Sequence, residues 1–167
     1  MAAYGASPGP TCRLTTMVTE TFAASSPWVL QRQVLPQHTD HAGVMWHGAY
    51  LGWLEEARIE ALAQAGLAYS DLSGRGLELP VVSLTIDYRQ ALLHGDRVRL
   101  ESQVLPRQGV RLPWRTCFVT AGGMVAAEAR VVLVLVDLSG GPGRRRLMRR
   151  LPDDLAAAVK ALELGPG

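Results

Sequence analysis

The sequence predicts an α+β fold in which one long helix sits among the strands of a mostly antiparallel sheet, and three features carry the prediction. A strand-like run precedes a single long helical period between residues 48 and 65, and four further stretches of strand character follow with turn residues between them. Apolar residues make up 48% of the 167, enough to fill one core of ordinary size. A single domain over residues 28–164 is therefore expected, after a flexible leader over 1–27.

The elements follow in chain order. The leader is rich in Pro, Gly and Ser and lacks a basic stretch followed by a continuous apolar one, so it does not read as a secretory signal, and Met17 is a second candidate start. Trp28 to Leu35 forms a first strand with broken alternation, and a loop containing His38, His41 and His47 leads into the helix. From about Gly48 to Ala65, Tyr50, Leu54, Ala57, Ala61 and Ala65 recur at steps of three and four, and Gly66 ends the run as a C-terminal cap. The alanines on this stripe let a backbone approach closely, as a helix enclosed by a sheet requires. A loop with Gly74 and Gly76 leads to a strand from about Leu79 to Tyr88, whose Val82, Leu84, Ile86 and Tyr88 alternate with polar residues. His94-Gly-Asp96 turns the chain into Val98 to Val104, a further strand covers Val110 to Thr120, and Gly122-Gly123 precedes a long apolar strand from Met124 to Leu138. After a loop through Gly140 to Gly143 and the arginine run, Pro152 opens a short helix from Asp153 to Leu164.

Charge and cysteine content exclude several classes. The formal charge is +2, and its excess is local, since Arg144, Arg145, Arg146, Arg149 and Arg150 fall within seven residues. No aromatic residue is interleaved with them, so nucleic acid is not an expected partner. Cys12 and Cys117 make at most one disulfide, and no segment approaches a membrane span. A cytoplasmic location is expected.

The chemistry concentrates between Gln37 and Tyr50, where a polar, ionisable loop meets the start of an apolar helix. The first turn of a helix leaves backbone N–H groups unpaired and carries partial positive charge, which suits an oxyanion. A carboxylate just upstream, Asp40, can attack a carbonyl held there or activate a water to do so. His38, Asp40, His41 and His47 also present three imidazoles and a carboxylate within ten residues, which leaves a metal-binding hydrolase as a rival reading, although no recognised metal-ligand spacing is present. A Gly-x-Ser-x-Gly elbow and a Walker-type phosphate loop are both missing from the sequence.

The string from Thr39 through Asp40, Ala42-Gly43, Trp46-His47 and Tyr50, followed by Glu55 and Ala57-Arg58, resembles the signature of the 4-hydroxybenzoyl-CoA thioesterase family of hot-dog proteins. Asp87-Tyr88 and the His94-Gly95-Asp96 turn resemble later features of that family, so the resemblance runs in order from roughly Val29 to Leu138. It implies a hot-dog fold, a long central helix wrapped by a curved sheet of about five strands with a short C-terminal helix. It also implies hydrolysis of an aliphatic or aromatic acyl-CoA without metal or organic cofactor. By the same resemblance Asp40 is the catalytic carboxylate, acting as nucleophile or general base. His47 supplies an oxyanion N–H and a side chain near the site, Glu55 is a helix carboxylate close by, and Gly43, Val44, Trp46 and Tyr50 border the substrate. Two departures, His38 where many members carry an aspartate and Trp46 where tyrosine is frequent, bear on the acyl pocket. The resemblance further implies a homodimer or homotetramer, with coenzyme A or acyl carrier protein as leaving group. A non-catalytic acyl-thioester-binding protein is the other alternative. The arginine run reads as a solvated face or as a contact for coenzyme A phosphates.

Overall fold

A computed structural model describes residues 26–141 and 144–167. The leader expected over 1–27 and the choice between Met1 and Met17 lie outside the described residues, save for Ser26 and Pro27. In chain order the elements are β1 (Trp28–Gln33), a single 3-10 turn (Pro36–His38), α1 (His47–Gln64), α2 (Tyr69–Gly74), β2 (Leu77–Glu78), β3 (Val81–Tyr88), β4 (Arg97–Val104), β5 (Arg111–Thr120), β6 (Val125–Val134), β7 (Val136–Asp137), β8 (Arg146–Leu147) and α3 (Asp153–Leu164). Five strands form one antiparallel sheet in the order β1-β4-β5-β6-β3, and β2-β7-β8 make a small second sheet. The expected α+β order of strand, long helix and strand meander holds.

Strand pairing decides which side chains face the helix. The register sets Leu30 beside Leu100, Leu100 beside Phe118, Phe118 beside Ala127 and Trp114 beside Val131, and these inward positions are buried with the apolar stripe of α1. On α1 the buried residues are Ala49, Tyr50, Trp53, Leu54, Ala57, Ala61 and Leu62, so the small residues of the stripe sit against the sheet as the sequence requires. Ser102 and Thr116, opposite one another and buried, satisfy each other through a 2.9 Å hydroxyl contact. Gly66, at φ 81, closes α1: its N–H donates to Ala63 O and that of Leu67 to Leu62 O, the paired bonds of a Schellman motif. At the other end of the chain α3 starts with Asp153 and Asp154, acids that suit a helix N-terminus, and buries Leu155, Ala158 and Leu162. The Trp28 indole N–H donates to Leu162 O at 3.0 Å and ties α3 to β1.

Three local expectations change. The strand read as continuous from Met124 to Leu138 divides at Leu135: β6 stays in the large sheet, while β7 pairs with β2 and β8. The run from Val131 to Val136 is apolar on both sides of the break, so a change of partner leaves no mark on the pattern. Where a loop is expected, α2 forms, anchored by the fully buried Leu72. Within the arginine loop, Arg146 pairs with Asp137 through both backbone register and a 3.0 Å ion pair, which makes β8.

Trp114 is almost wholly buried, and its indole N–H has no hydrogen-bond partner among the described residues. Trp114→Ala should cost about 3–5 kcal/mol in urea unfolding, the range for removing a large core aromatic. Trp114→Phe should cost less than about 1 kcal/mol, because deleting an unsatisfied buried donor offsets part of the lost packing. Equal losses for the two variants would contradict this account of the indole.

Candidate active site

Thr39 and Met45 face each other across an isolated antiparallel bridge, so the residues between them form a small hairpin that runs directly into α1. Its tip is closed by Asp40 N–H to Val44 O at 2.9 Å and Gly43 N–H to Asp40 O at 3.0 Å. Gly43, at φ 76, takes the left-handed position that a three-residue hairpin loop needs at its end. The Asp40 side chain helps to build this loop: Oδ1 accepts from Ala42 N–H at 2.8 Å and from Val44 N–H at 3.1 Å. The second oxygen, Oδ2, accepts no hydrogen bond among the described residues, and the residue is exposed. One carboxylate oxygen is thus fixed by the loop while the other is open to a ligand.

The hairpin is pinned on two sides. Trp46 N–H donates to His38 O at 3.1 Å, and Met45 N–H donates to Leu92 O at 2.8 Å. Val44 bridges Leu93, whose own N–H donates to Asp96 Oδ2 at 2.8 Å. Val34 N–H in turn donates to Asp96 O, and Gly95 N–H to Val34 O. The segment from Leu92 to Asp96 therefore supports the Asp40 loop. Asp96 has a positioning part that the sequence marked only as a turn.

At the start of α1, His47 and Gly48 occupy the first two helical positions, where backbone N–H groups have no partner within the helix. No other acceptor takes them among the described residues. His47 is exposed, and its ring meets that of Trp46 edge to face at 5.3 Å. The half-exposed Trp46 indole folds over Gly48 so closely that a Cβ there would overlap the ring. Tyr50, one turn further, is buried and stacks edge to face on Tyr88 at 5.0 Å, joining the first turn of α1 to the end of β3.

The structure brings Asp40, Gly43, Val44, Trp46, His47 and Tyr50 together around the hairpin and the first turn of α1. Glu55 lies apart, eight residues beyond His47 and about 12 Å along the helix. It is exposed beside the half-buried Arg58, on the same side of α1 as the exposed Leu51 and Ile59. Burial pulls the Arg58 guanidinium below its ordinary value, partly offset by Glu55. His38 is occupied otherwise: its Nδ1 accepts from Leu35 N–H at 3.1 Å, and its ring packs edge to face on Trp53. Among the described residues no group of three His, Cys, Asp or Glu side chains is placed to hold a metal ion, so the rival reading of His38, Asp40, His41 and His47 finds no geometric support.

The hairpin thus presents an open carboxylate oxygen and leads directly into a helix whose first N–H groups lack acceptors, groups of the kinds that can attack and polarise a carbonyl. The family model described as "Thioesterase-like superfamily" matches residues 34–159, and the chain belongs to that superfamily. The chain is 39% identical over 137 residues to a Synechocystis sp. protein provisionally named an esterase, sll0410, with 80% of this chain and 79% of that one covered. It is 26% identical over 129 residues to the acyl-CoA thioester hydrolase YbgC of Escherichia coli O6:H1, with 77% and 92% covered. Among solved structures, a 4-hydroxybenzoyl-CoA thioesterase mutant complexed with 4-hydroxybenzoyl-CoA superposes with a TM-score of 0.68 at 19% identity, covering 78% of this chain and 96% of that one. The hot-dog fold expected from the resemblance is the fold observed.

Burial pushes the Tyr50 hydroxyl from its ordinary 10.0 up to about 12, with a smaller contribution from Tyr88. At neutral pH it is a hydrogen-bond donor and not a base. The folded protein favours the protonated phenol, so this contribution is intact below about pH 10 and is lost as pH rises towards about 12. Tyr50→Phe should flatten the alkaline fall in stability over that window, measured by chemical denaturation. An unchanged slope would contradict the assigned burial.

Proposed function

We propose that this chain hydrolyses the thioester of an acyl-CoA to the free acid and coenzyme A, with Asp40 as the reacting carboxylate and the first turn of α1 as the oxyanion site. The observation that carries the reading is the hairpin itself. It fixes Asp40 through Oδ1, leaves Oδ2 open, and delivers the chain directly into helix N–H groups that lack acceptors. The thioester carbonyl oxygen accepts from the N–H groups of His47 and Gly48, which stabilise the negative charge that grows on it. Asp40 then either attacks the carbonyl carbon, forming a mixed anhydride that water hydrolyses, or takes a proton from the attacking water. Both routes release the coenzyme A thiolate, which is protonated to the thiol, and regenerate the carboxylate. The required chemistry calls on no metal or organic cofactor.

Around that centre Gly43, Val44, Trp46 and Tyr50 border the substrate. Trp46 covers the approach to Gly48, and the Tyr50 hydroxyl is a donor at the inner end. The His47 side chain, exposed at the same mouth, is proposed to contact the thioester or the leaving group. Acyl carrier protein is the alternative leaving group, and a panel of acyl-CoA and acyl-carrier substrates separates the two while identifying the acyl chain. No helix among the described residues is long and apolar enough to cross a membrane, and the chain's proposed place is the cytoplasm.

Asp40→Asn is the informative variant, because its side-chain oxygen can still accept from Ala42 and Val44 and so keeps the loop. It should lower kcat by about a hundredfold or more, within the range for a removed acid-base group, with unfolding unchanged. Near-normal turnover would overturn the assignment.

The unit is also proposed to work as a dimer, possessing two candidate sites. β3 is an edge strand whose Val81, Val82, Leu84 and Tyr88 are all exposed, and Leu51 and Ile59 on the adjacent side of α1 are exposed as well. A long apolar edge of this kind is covered in a working protein. A second copy laid along β3 would cover it and bring a partner surface towards Tyr88, Glu55 and Arg58. Leu84→Asp should shift the species seen by analytical ultracentrifugation to monomer and reduce turnover. A wild-type monomer at micromolar concentration would contradict the pairing.

A further inference from the structure

The arginine run is not used by the thioester site, and it dominates the charge of the molecule. Without Arg144, Arg145, Arg146, Arg149 and Arg150, seventeen basic and fifteen acidic residues become twelve against fifteen, so the rest of the chain is net acidic. All five are exposed. Only Arg146 has an ion-pair partner among the described residues, Asp137, and that arginine is still 80% exposed at its side chain. Arg107 joins the group by donating from Nη2 to Arg149 O at 3.1 Å. Blunting the edge of a two-residue strand such as β8 needs no more than one such charge.

The run lies at the far end of α1 from Asp40. Leu67, just past the helix, lines an apolar cleft together with Leu151, Leu155 and Val159, and Arg107 forms part of its wall. Eighteen helical residues separate the two ends by about 27 Å. The patch is therefore remote from its own protomer's carbonyl site. It also carries apolar groups: Leu147, in the middle of the run, is 42% exposed. The Glu163 carboxylate accepts from Arg107 N–H, which brings the 64% exposed Leu164 to the same end.

We propose that this end of the fold docks on an anionic lipid surface, with the unpaired guanidinium groups on headgroup phosphates and Leu147 at the boundary with the acyl chains. Guanidinium forks match phosphate oxygens, and clustered arginines beside apolar side chains suit the interface of a bilayer better than a purely polar partner. The acidic remainder of the chain is repelled by the same surface and sets the orientation, arginine pole down and the Asp40 hairpin away from the lipid.

The test is co-sedimentation of the full chain with vesicles of phosphatidylcholine, with and without phosphatidylglycerol. Binding is expected only to the vesicles containing phosphatidylglycerol, with release as salt is raised. Each arginine near such a surface is worth about fivefold in partitioning, so Arg144→Gln, Arg145→Gln, Arg149→Gln and Arg150→Gln together should weaken binding by several hundredfold. Leu147→Ala should weaken binding while leaving its salt dependence in place. Hydrolysis of a short-chain acyl-CoA in solution should be unchanged in both variants. Equal binding to neutral vesicles, undiminished binding by the fourfold variant, or no binding by the wild type would each overturn the proposal. So would tighter retention on RNA at equal phosphate, or a raised KM for acyl-CoA in the fourfold variant, which would make the run a coenzyme A contact.

Discussion

A short ladder of backbone hydrogen bonds, from the Asp40 hairpin to His38 on one side and to Leu92 on the other, is the constraint on which the candidate site depends. It fixes the point at which the chain enters α1 and the course of the loop that carries the carboxylate. The Asp40 side chain is part of the ladder as well as its proposed beneficiary, since Oδ1 satisfies two loop N–H groups. On the proposed reading such a residue is preorganised, because its second oxygen needs no reordering when a substrate arrives. The surrounding fold serves that junction. The sheet buries the apolar stripe of α1, and the Schellman cap at Gly66 and the α3 tie through Trp28 and Leu162 hold the far end.

The same fold leaves one flank open. β3 stands at the sheet edge with both faces exposed, and Leu51, Glu55 and Ile59 on one side of α1 are exposed among the described residues. Arg58 sits between the core and that flank, half-buried, with its guanidinium partly stripped of water. In the proposed dimer, what covers β3 would also close the approach to Tyr50 and Tyr88, whose rings meet at the end of that strand. Glu55, two turns from the hairpin, lies exposed on that flank with Leu51 and Ile59.

Much of this was legible in the sequence because it depends on local rules. The helix period of α1, the alternation in β4 and the cap at Gly66 follow from spacing alone, and the Asp40 segment is polar at a place where a core would not tolerate it. What escaped depends on distant partners. The break at Leu135 is invisible because the run from Val131 to Val136 is apolar on both sides of it and only the neighbours differ. The support given by Leu92 to Asp96 joins residues about fifty positions from the loop they hold. His38 read as one member of a histidine cluster, whereas its Nδ1 is taken by Leu35 N–H and its ring by Trp53.

The most direct measure of whether the helix start polarises a thioester is the carbonyl stretch of bound substrate. Isotope-edited infrared difference spectra of a carbonyl-labelled acyl-CoA on the Asp40→Asn protein, where turnover is slow enough to observe it, report that bond alone. A shift to lower frequency than in water is expected, as the carbonyl oxygen accepts from the His47 and Gly48 N–H groups. A band at the frequency seen in water would contradict the placement of the carbonyl at α1.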